Sequence, residues 1–300
     1  MIESCGMNNF PICTYCVVFV DLMGHKRFLS ELECCVDLLE RQRRVNEISV
    51  PLRRFKDGIK QRVCEALSDT RNIIRENVKG ESQEAMLNMV DDVSFGVQQF
   101  SDSTLVYVKM VSLPSYIALL MVIEFIAFRM LDSMGCGVPI RGGMAIGQGW
   151  EIDKDCLCGQ VIADAYKLES NVSNWGRITV SSAMAKAFRS LKLLCNGIPN
   201  GNFYELLRPM VEMVAEDIDG VKFLDYLNPA VEELYKREHF DSDWFAGRIK
   251  SGIDFVNKQI GKFRTSAVGD FECAKLALRY ELVRDYWRSR LDMWSLRVKQ

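Results

Sequence analysis

The sequence predicts an α+β fold, because strand-like and helix-like segments alternate over the first two thirds of the chain and two strands form a hairpin. Residues 15–20 are a β-branched and aromatic run that ends abruptly at Asp21, as a buried strand does. Residues 93–100 and 104–109 are strand-like and separated by three polar residues, which indicates a tight β-hairpin. Helices that alternate with antiparallel strands are typical of an α+β domain.

The segment after the first strand has helical periodicity. Phe28, Leu32, Val36 and Leu39 recur every three to four residues, which predicts an amphipathic helix packed on the sheet. Residues 40–84 are charge-rich with weak helical periodicity, and they predict an exposed helical insertion outside the sheet.

The later elements continue the alternation. Residues 116–131 are the most apolar stretch, but Glu124 and Arg129 interrupt it, so its charge-free part is shorter than the ~20 residues of a membrane span. We expect a buried core helix there and no membrane association. Three further elements are predicted: a strand at 140–146, a helix at 159–170 and a strand at 176–181.

The last third of the sequence is dominated by helical periods, so we predict a domain over residues 1–205 and a helical extension over 206–300. Two apolar stripes carry this prediction: Phe245, Ile249, Val256 and Ile260, then Leu276, Tyr280, Val283, Trp287, Leu291 and Trp294. Such stripes are usually packing surfaces. The second can cover the core domain or support a dimer.

Composition narrows the possible classes of protein. The formal net charge is −2, from 38 basic and 40 acidic residues, which argues against a general nucleic-acid binder. Residues 1–10 lack a basic region followed by an apolar core, and the eleven cysteines therefore indicate reduced thiols in the cytoplasm. Cys13 and Cys16 form a CxxC pair, for which buried thiols are a better interpretation than a zinc site.

Two carboxylates are the candidate catalytic groups. Asp21 follows a strand and Asp102 lies in the hairpin turn, so neighbouring strand ends can bring them together to hold two divalent ions about 3.5–4 Å apart. The alternative is that Asp21 caps the following helix and Asp102 is only a preferred turn residue. The turn at Gly24 favours the catalytic interpretation, because amides at a helix N-terminus attract a triphosphate.

Four segments together carry a resemblance to a known family. They are FVDLMGHKRF at 19–28, FSDS at 100–103, IRGGMAIGQG at 140–149 and GQVIADAYKLE at 159–169. In this order they are similar to the first metal motif, the second metal motif, the arginine-glycine strand and the following helix of class III nucleotide cyclases. The resemblance covers about residues 15–182 and implies a ferredoxin-like, palm-type core.

The resemblance implies roles for particular residues. Asp21, Asp102 and the backbone carbonyl of Leu22 would hold two Mn²⁺ or Mg²⁺ ions, while amides of Leu22, Met23 and Gly24 would hold the triphosphate. In that family the ribose 3′-hydroxyl attacks the α-phosphate and pyrophosphate leaves.

Further roles depend on the last two motifs. Arg141 and Lys167 would contribute charge near the site. Lys167 replaces the family's transition-state arginine and Ala163 its asparagine, so the catalytic geometry must differ from that of a mammalian-type cyclase.

The base-reading positions also depart from the family. Gln98 stands where the adenine-reading lysine would lie, and the other position falls near Cys156, beside Asp155. An amide side chain can donate and accept, so Gln98 can pair with a pyrimidine or simply face solvent. These departures make the chain resemble the pyrimidine cyclases of bacterial Pycsar antiphage systems.

That resemblance implies a substrate and partners. We expect UTP, with CTP as the alternative, then a purine triphosphate, then an inactive nucleotide-binding module. Class III cyclases form head-to-tail homodimers with composite active sites, to which Asp155, Arg141 and Lys167 would contribute near the interface. A separate effector activated by the cyclic nucleotide is implied as well.

Overall fold

The computed structural model describes residues 11–23, 30, 32–100, 102–135, 137–153, 156–195, 208, 212–217, 219–228, 242–266 and 270–298. Within these residues eight strands form one sheet: β1 (Cys13–Leu22), β2 (Phe95–Phe100), β3 (Ser103–Lys109), β4 (Ile140–Asp153), β5 (Cys156–Cys158), β6 (Ile178–Val180), β7 (Val214–Glu216) and β8 (Lys222–Leu224). The helices are α1 (Leu38–Asn77), α2 (Glu81–Asp91), α3 (Leu113–Gly135), α4 (Gln160–Lys167), α5 (Ser182–Cys195), α6 (Ser242–Ser266) and α7 (Phe271–Val298).

The first four strands have ferredoxin-like topology. The sheet order is β2-β3-β1-β4-β6-β8-β7, with β5 paired to β4, and β1 is antiparallel to both β3 and β4. Helices α1 and α2 connect β1 to β2, and α3 connects β3 to β4. This is the split β-α-β-β-α-β arrangement. The predicted α+β class and antiparallel-rich core are therefore confirmed.

Alternate residues of β1 face two different layers, because side chains of a strand alternate between its faces. Cys16, Val18, Val20 and Leu22 enter a large hydrophobic core shared with α1, α3, α6 and α7. On the opposite face, a smaller cluster packs against α4 and contains Tyr15, Val17 and Phe19. Asp21 belongs to the second face, at the end of this row.

The segment after β1 differs from its prediction. Phe28 lies outside the described residues, and Val36 and Leu39 are 93% and 83% exposed rather than packed on the sheet. The reason is that α1 begins only after Asp37, whose carboxylate accepts a hydrogen bond of 2.9 Å from the Leu39 amide. The apolar period therefore crosses a helix boundary.

Helix α1 itself is only partly exposed. The predicted helical insertion is present as a 40-residue helix, but Phe55, Ile59, Val63 and Leu67 form a buried stripe along its second half. The stripe packs on α3, where the rings of Phe55 and Phe125 lie 5.8 Å apart. Many charged residues surround this stripe, which is why its periodicity is weak in the sequence.

Helix α3 is the buried core helix that the sequence predicts. Its apolar residues fill the space between the sheet and α1, and Arg129 is accommodated by placing its guanidinium 4.9 Å from the centre of the Phe125 ring. Among the helices of the described residues, none combines the length and the apolar character that crossing a bilayer requires.

The C-terminal third packs on the same core. The Nε1 groups of two buried tryptophans donate hydrogen bonds into it, from Trp287 to the Tyr226 hydroxyl at 2.7 Å and from Trp294 to the Leu227 carbonyl at 2.8 Å. The aromatic stripe of α7 thus covers the core. In addition, β7 and β8 extend the sheet beyond the predicted boundary at 205, which itself lies outside the described residues. Separate folding of residues 1–205 stays a prediction.

Candidate active site

Asp21 is the penultimate residue of β1, a strand that lies between β3 and β4 inside the sheet, and its side chain is partly exposed. Its side chain is 17% exposed, whereas the six residues before it are buried. The Ser103 hydroxyl, at the start of β3, donates a hydrogen bond of 2.9 Å to Asp21 Oδ1. The hairpin turn therefore contacts the end of β1, as the sequence requires if the two aspartates are to act together.

Asp102 lies in that turn and shares a pocket with Asp21. The pocket has a volume of about 120 Å³. The residues lining it come from the strand ends, α1 and α3, and they are Val20, Asp21, Leu22, Arg54, Phe55, Asp102, Thr104, Arg129, Asp132, Ser133, Val138 and Ile140. The structure thus brings together both predicted metal-binding carboxylates and Leu22, while Met23 is buried next to them and Gly24 lies outside the described residues.

The electrostatic environment of Asp21 disfavours an unpartnered negative charge. Burial raises the pKa of Asp21, and the nearby negative charge of Asp102 raises it further. Hydrogen bonds from Ser103 and Arg141 act in the opposite direction. Two carboxylates in this arrangement attract a cation, because positive charge between them offsets both burial and mutual repulsion.

Arg141 lies directly opposite Asp21 on the neighbouring strand β4. Its Nη2 donates a hydrogen bond to Asp21 Oδ2 at 3.4 Å and lies 2.7 Å from Glu169 Oε1. The second contact is an ion pair without hydrogen-bond geometry, since Glu169 Oε1 has no hydrogen-bond partner in the described residues. Glu169 is only 2% exposed, and burial raises its pKa to about 7 despite the Arg141 charge.

Helix α4 brings Glu169 to this position by packing closely on β4. A side chain at Gly143 would place a Cβ 2.1 Å from the Ala165 carbonyl oxygen, so only glycine permits the observed distance. Gly159 starts the helix with a φ of 139°, which also favours glycine. The helix continues as a π-helical turn, Leu168–Val172, which turns Glu169 inward beneath Arg141.

The predicted base-reading residues are only partly placed. Gln98 pairs with Leu105 on β3, so it shares the sheet face of Phe19 and Asp21, and its Oε1 is buried without a hydrogen-bond partner in the described residues. Cys156 is half-buried on β5, and Asp155 lies outside the described residues. Gln98 therefore lies on the same sheet face as Asp21, whereas no such placement follows for Asp155.

Lys167 and Ala163 lie on α4, whose buried residues Val161 and Ala165 face the sheet. Lys167 is exposed, and in the described part of the chain it makes no hydrogen bond or ion pair with Asp21 or Asp102. Asp21 and Asp102 thus line one pocket and Arg141 contacts Asp21, whereas neither Arg141 nor Lys167 lines that pocket.

The donor set fits a divalent cation in chemistry, since carboxylate and carbonyl oxygens are the ligands that Mg²⁺ and Mn²⁺ prefer. Asp21 and Asp102 supply two such groups at one pocket. In the described residues, no group of three or more His, Cys, Asp or Glu side chains is arranged to hold a metal ion. A cation there would be bound by these two carboxylates, by backbone oxygen and by the substrate. It would displace the hydrogen bonds that Asp21 now accepts from Ser103 and Arg141.

Sequence reasoning missed three residues near this site. Ser103 and Glu169 are the last residues of the FSDS and GQVIADAYKLE motifs, and a polar residue at these positions could have indicated them. Arg279 lies on α7, where burial lowers its pKa and its charge interacts with those of Arg141 and Glu169. No local pattern in the sequence connects Arg279 with β4.

Comparisons with known proteins give few matches. No protein-family model and no curated protein matches this chain. Among solved structures, a bacterial light-regulated adenylyl cyclase is 12% identical with a TM-score of 0.34, over 59% of this chain and 80% of that one. The adenylyl cyclase CyaB from P. aeruginosa is 12% identical with a TM-score of 0.33, over 71% of this chain and 93% of that one. At such similarity the chemistry has to be inferred from the chain's own residues.

Proposed function

We propose that this chain is a metal-dependent nucleotidyl cyclase that converts UTP to 3′,5′-cyclic UMP and pyrophosphate. The observation that carries this proposal is the convergence of Asp21 and Asp102 on one pocket, with Arg141 beside Asp21. Paired carboxylates with an adjacent cation suit phosphoryl transfer, in which negative charge must be neutralised around a reacting phosphate.

The proposed reaction is an intramolecular displacement at the α-phosphate. The ribose 3′-oxygen loses its proton and bonds to the α-phosphorus, while the bond to the bridging oxygen of pyrophosphate breaks. Divalent cations held by Asp21 and Asp102, with the Leu22 carbonyl, would lower the pKa of the 3′-hydroxyl and neutralise the leaving group. Arg141 would contact the phosphate tail, and amides of Leu22, Met23 and Gly24 would help to hold it.

The pyrimidine preference depends on Gln98. Its buried Oε1 has no hydrogen-bond partner in the described residues, so an N–H on the edge of a base would satisfy it. Uracil N3–H and the cytosine amino group both offer such a donor, which keeps CTP as the alternative substrate. Cys156 and Asp155 would complete base recognition.

The proposed assembly is a head-to-tail homodimer with two composite sites. Support comes from Lys167, which is exposed and unpaired with Asp21 or Asp102 within one chain and can therefore serve a partner's site. We further propose, from the Pycsar resemblance, that the cyclic nucleotide activates a separate effector during phage infection.

The deciding experiment is incubation of the purified chain with each of the four nucleoside triphosphates and either Mn²⁺ or Mg²⁺, followed by product identification by mass spectrometry. Cyclic UMP as the main product supports the proposal, and cyclic CMP supports the alternative. Cyclic AMP or cyclic GMP as sole product would overturn the pyrimidine assignment.

An inactive nucleotide-binding module is the rival function, and one observation favours it. Both Asp21 carboxylate oxygens already accept hydrogen bonds, from Ser103 and Arg141. Tight triphosphate binding without release of pyrophosphate from any of the four substrates would support this rival and overturn the proposed catalysis.

A further inference from the structure

Glu169 competes with Asp21 for one nitrogen of Arg141. The Arg141 Nη2 atom lies 2.7 Å from Glu169 Oε1 but 3.4 Å from Asp21 Oδ2. A guanidinium placed between two carboxylates is attracted to both, and the shorter distance marks the stronger attraction. Nothing in the proposed chemistry so far uses Glu169, although its charge is buried at the site.

We propose that Glu169 is a positioning residue, which draws the Arg141 guanidinium towards itself and weakens its contact with Asp21, so that Asp21 can bind a divalent cation. The inference rests on the proposed function, because it concerns the same cation site. It assigns to Glu169 a role that acts through Arg141 rather than through contact with the substrate.

The surroundings of Arg141 support this role. Arg141 Nη1 donates a hydrogen bond of 3.3 Å to the Ser173 carbonyl. The Ser173 hydroxyl is itself fixed, since it donates to the Gly142 carbonyl at 2.5 Å and lies 2.6 Å from the Thr179 hydroxyl. Ser173 and Glu169 thus contact the guanidinium from the α4 side, and Asp21 contacts it from β1.

One donor of Arg141 stays available in this arrangement. Its Nε is buried and has no hydrogen-bond partner in the described residues. A buried N–H without an acceptor is unfavourable, so an approaching phosphate oxygen would gain from pairing with it. The Arg141 Nε is thus an unpaired donor within the described residues, while the terminal nitrogens contact Glu169, Ser173 and Asp21.

The C-terminal helix contributes to this charge arrangement. The half-buried Arg279 on α7 interacts electrostatically with both Glu169 and Arg141. It adds a second positive charge near Glu169, so the buried carboxylate has two cations around it. The helical extension thereby adds charge to the surroundings of Glu169 and Arg141.

The inference predicts opposite effects of two substitutions on Mn²⁺ binding, measured by electron paramagnetic resonance on the nucleotide-free protein. Glu169→Gln should weaken Mn²⁺ binding about fivefold, because Arg141 then settles on Asp21. Arg141→Gln should strengthen binding by a similar factor, because the competing cation is gone. Asp219→Asn is the control, since it removes a carboxylate from the separate Arg177 ion pair and should leave the Mn²⁺ affinity unchanged.

The double variant separates positioning from simple charge loss. If Glu169 acts through Arg141, then Glu169→Gln added to Arg141→Gln should change Mn²⁺ affinity little further, whereas independent charges would give additive effects. Additive effects, or wild-type affinity in Glu169→Gln, would overturn the inference. Should Glu169→Gln fail to fold, Glu169→Asp keeps the charge but withdraws the carboxylate from Arg141, and weaker Mn²⁺ binding is again expected. If the wild type does not bind Mn²⁺, both the inference and the proposed function are overturned. If the wild type binds Mn²⁺ but the variants do not differ as expected, only the inference is overturned.

Discussion

Asp21 and Arg141 face each other across two antiparallel strands, and Arg141 Nη2 donates to Asp21 Oδ2 at 3.4 Å. The carboxylate proposed to bind a cation is therefore held by a protein cation in the structure. The contact is long, and the same nitrogen lies closer to Glu169, so the attraction of Arg141 to Asp21 is the weaker of the two.

Replacement of either metal-site aspartate should abolish turnover. We expect Asp21→Ala and Asp102→Ala each to lower the rate of pyrophosphate release at least about 100-fold, because each removes charge that the transition state needs. Urea unfolding of both variants should stay cooperative. The exposed Asp69→Ala is the control and should keep wild-type activity. Activity retained in either site variant would remove that residue from the site.

Gln98 should set the preference among bases. We expect Gln98→Ala to reduce the ratio of kcat/KM for UTP over ATP by about tenfold, since the substrate's N–H loses its acceptor. The neighbouring Gln99 points to the other face and is exposed, so Gln99→Ala should keep the wild-type ratio. An unchanged ratio in Gln98→Ala would exclude base reading by this residue.

Composite sites predict recovery of activity in mixed dimers. Asp21→Ala and Lys167→Ala should each be impaired alone, the latter at least about tenfold through loss of a phosphate-facing cation. After mixing and exchange of subunits, half of the dimers carry one intact site, so about a quarter of wild-type activity should return.

This mixing experiment has a clear contrary outcome. If Lys167 serves the site of its own chain, every site in the mixture keeps a defect and no activity returns. Lys186→Ala, which removes an exposed lysine of α5, is the control and should be fully active without mixing.

The C-terminal helix should be part of the cooperative fold. Trp287 is fully buried and donates to Tyr226, so Trp287→Ala should lower the free energy of unfolding by about 3–5 kcal/mol. Leu278 lies on the same helix but is 58% exposed, and Leu278→Ala should change it by less than about 0.5 kcal/mol. Equal, small effects in denaturant titrations would show that α7 contributes little to the core.

Acid should weaken the Arg177 ion pair. A hydrogen bond from Arg177 lowers the pKa of Asp219, so the stabilising contribution is present above the ordinary pKa of aspartate, about 3.9, and is lost as pH falls through the lowered value. We expect Asp219→Asn to reduce stability at neutral pH and to lessen its decline below about pH 4. Urea midpoints of both proteins across this range test the sign, and parallel curves would contradict it.

Local sequence patterns predicted the elements that carry the candidate site. The strand before Asp21 was predicted from a continuous apolar run, the hairpin around Asp102 from two strand-like runs joined by polar residues, and the helix that contains Glu169 from its helical pattern. The predicted packing of Val36 and Leu39 on the sheet was wrong, because α1 begins only after its cap at Asp37 and the predicted helical period runs across that boundary. The sequence patterns also understated the burial of α1, whose apolar stripe is narrow.

The sequence by itself determined the α+β class and the placement of Asp21 and Asp102 near strand ends, since each of these depends on residues close together along the chain. Only the tertiary structure decided that Glu169 shares Arg141 with Asp21, that Arg279 adds its charge nearby, and that the α7 stripe covers the core. Such contacts join elements far apart in sequence, and no local period records them, because each period describes only the faces of its own helix or strand.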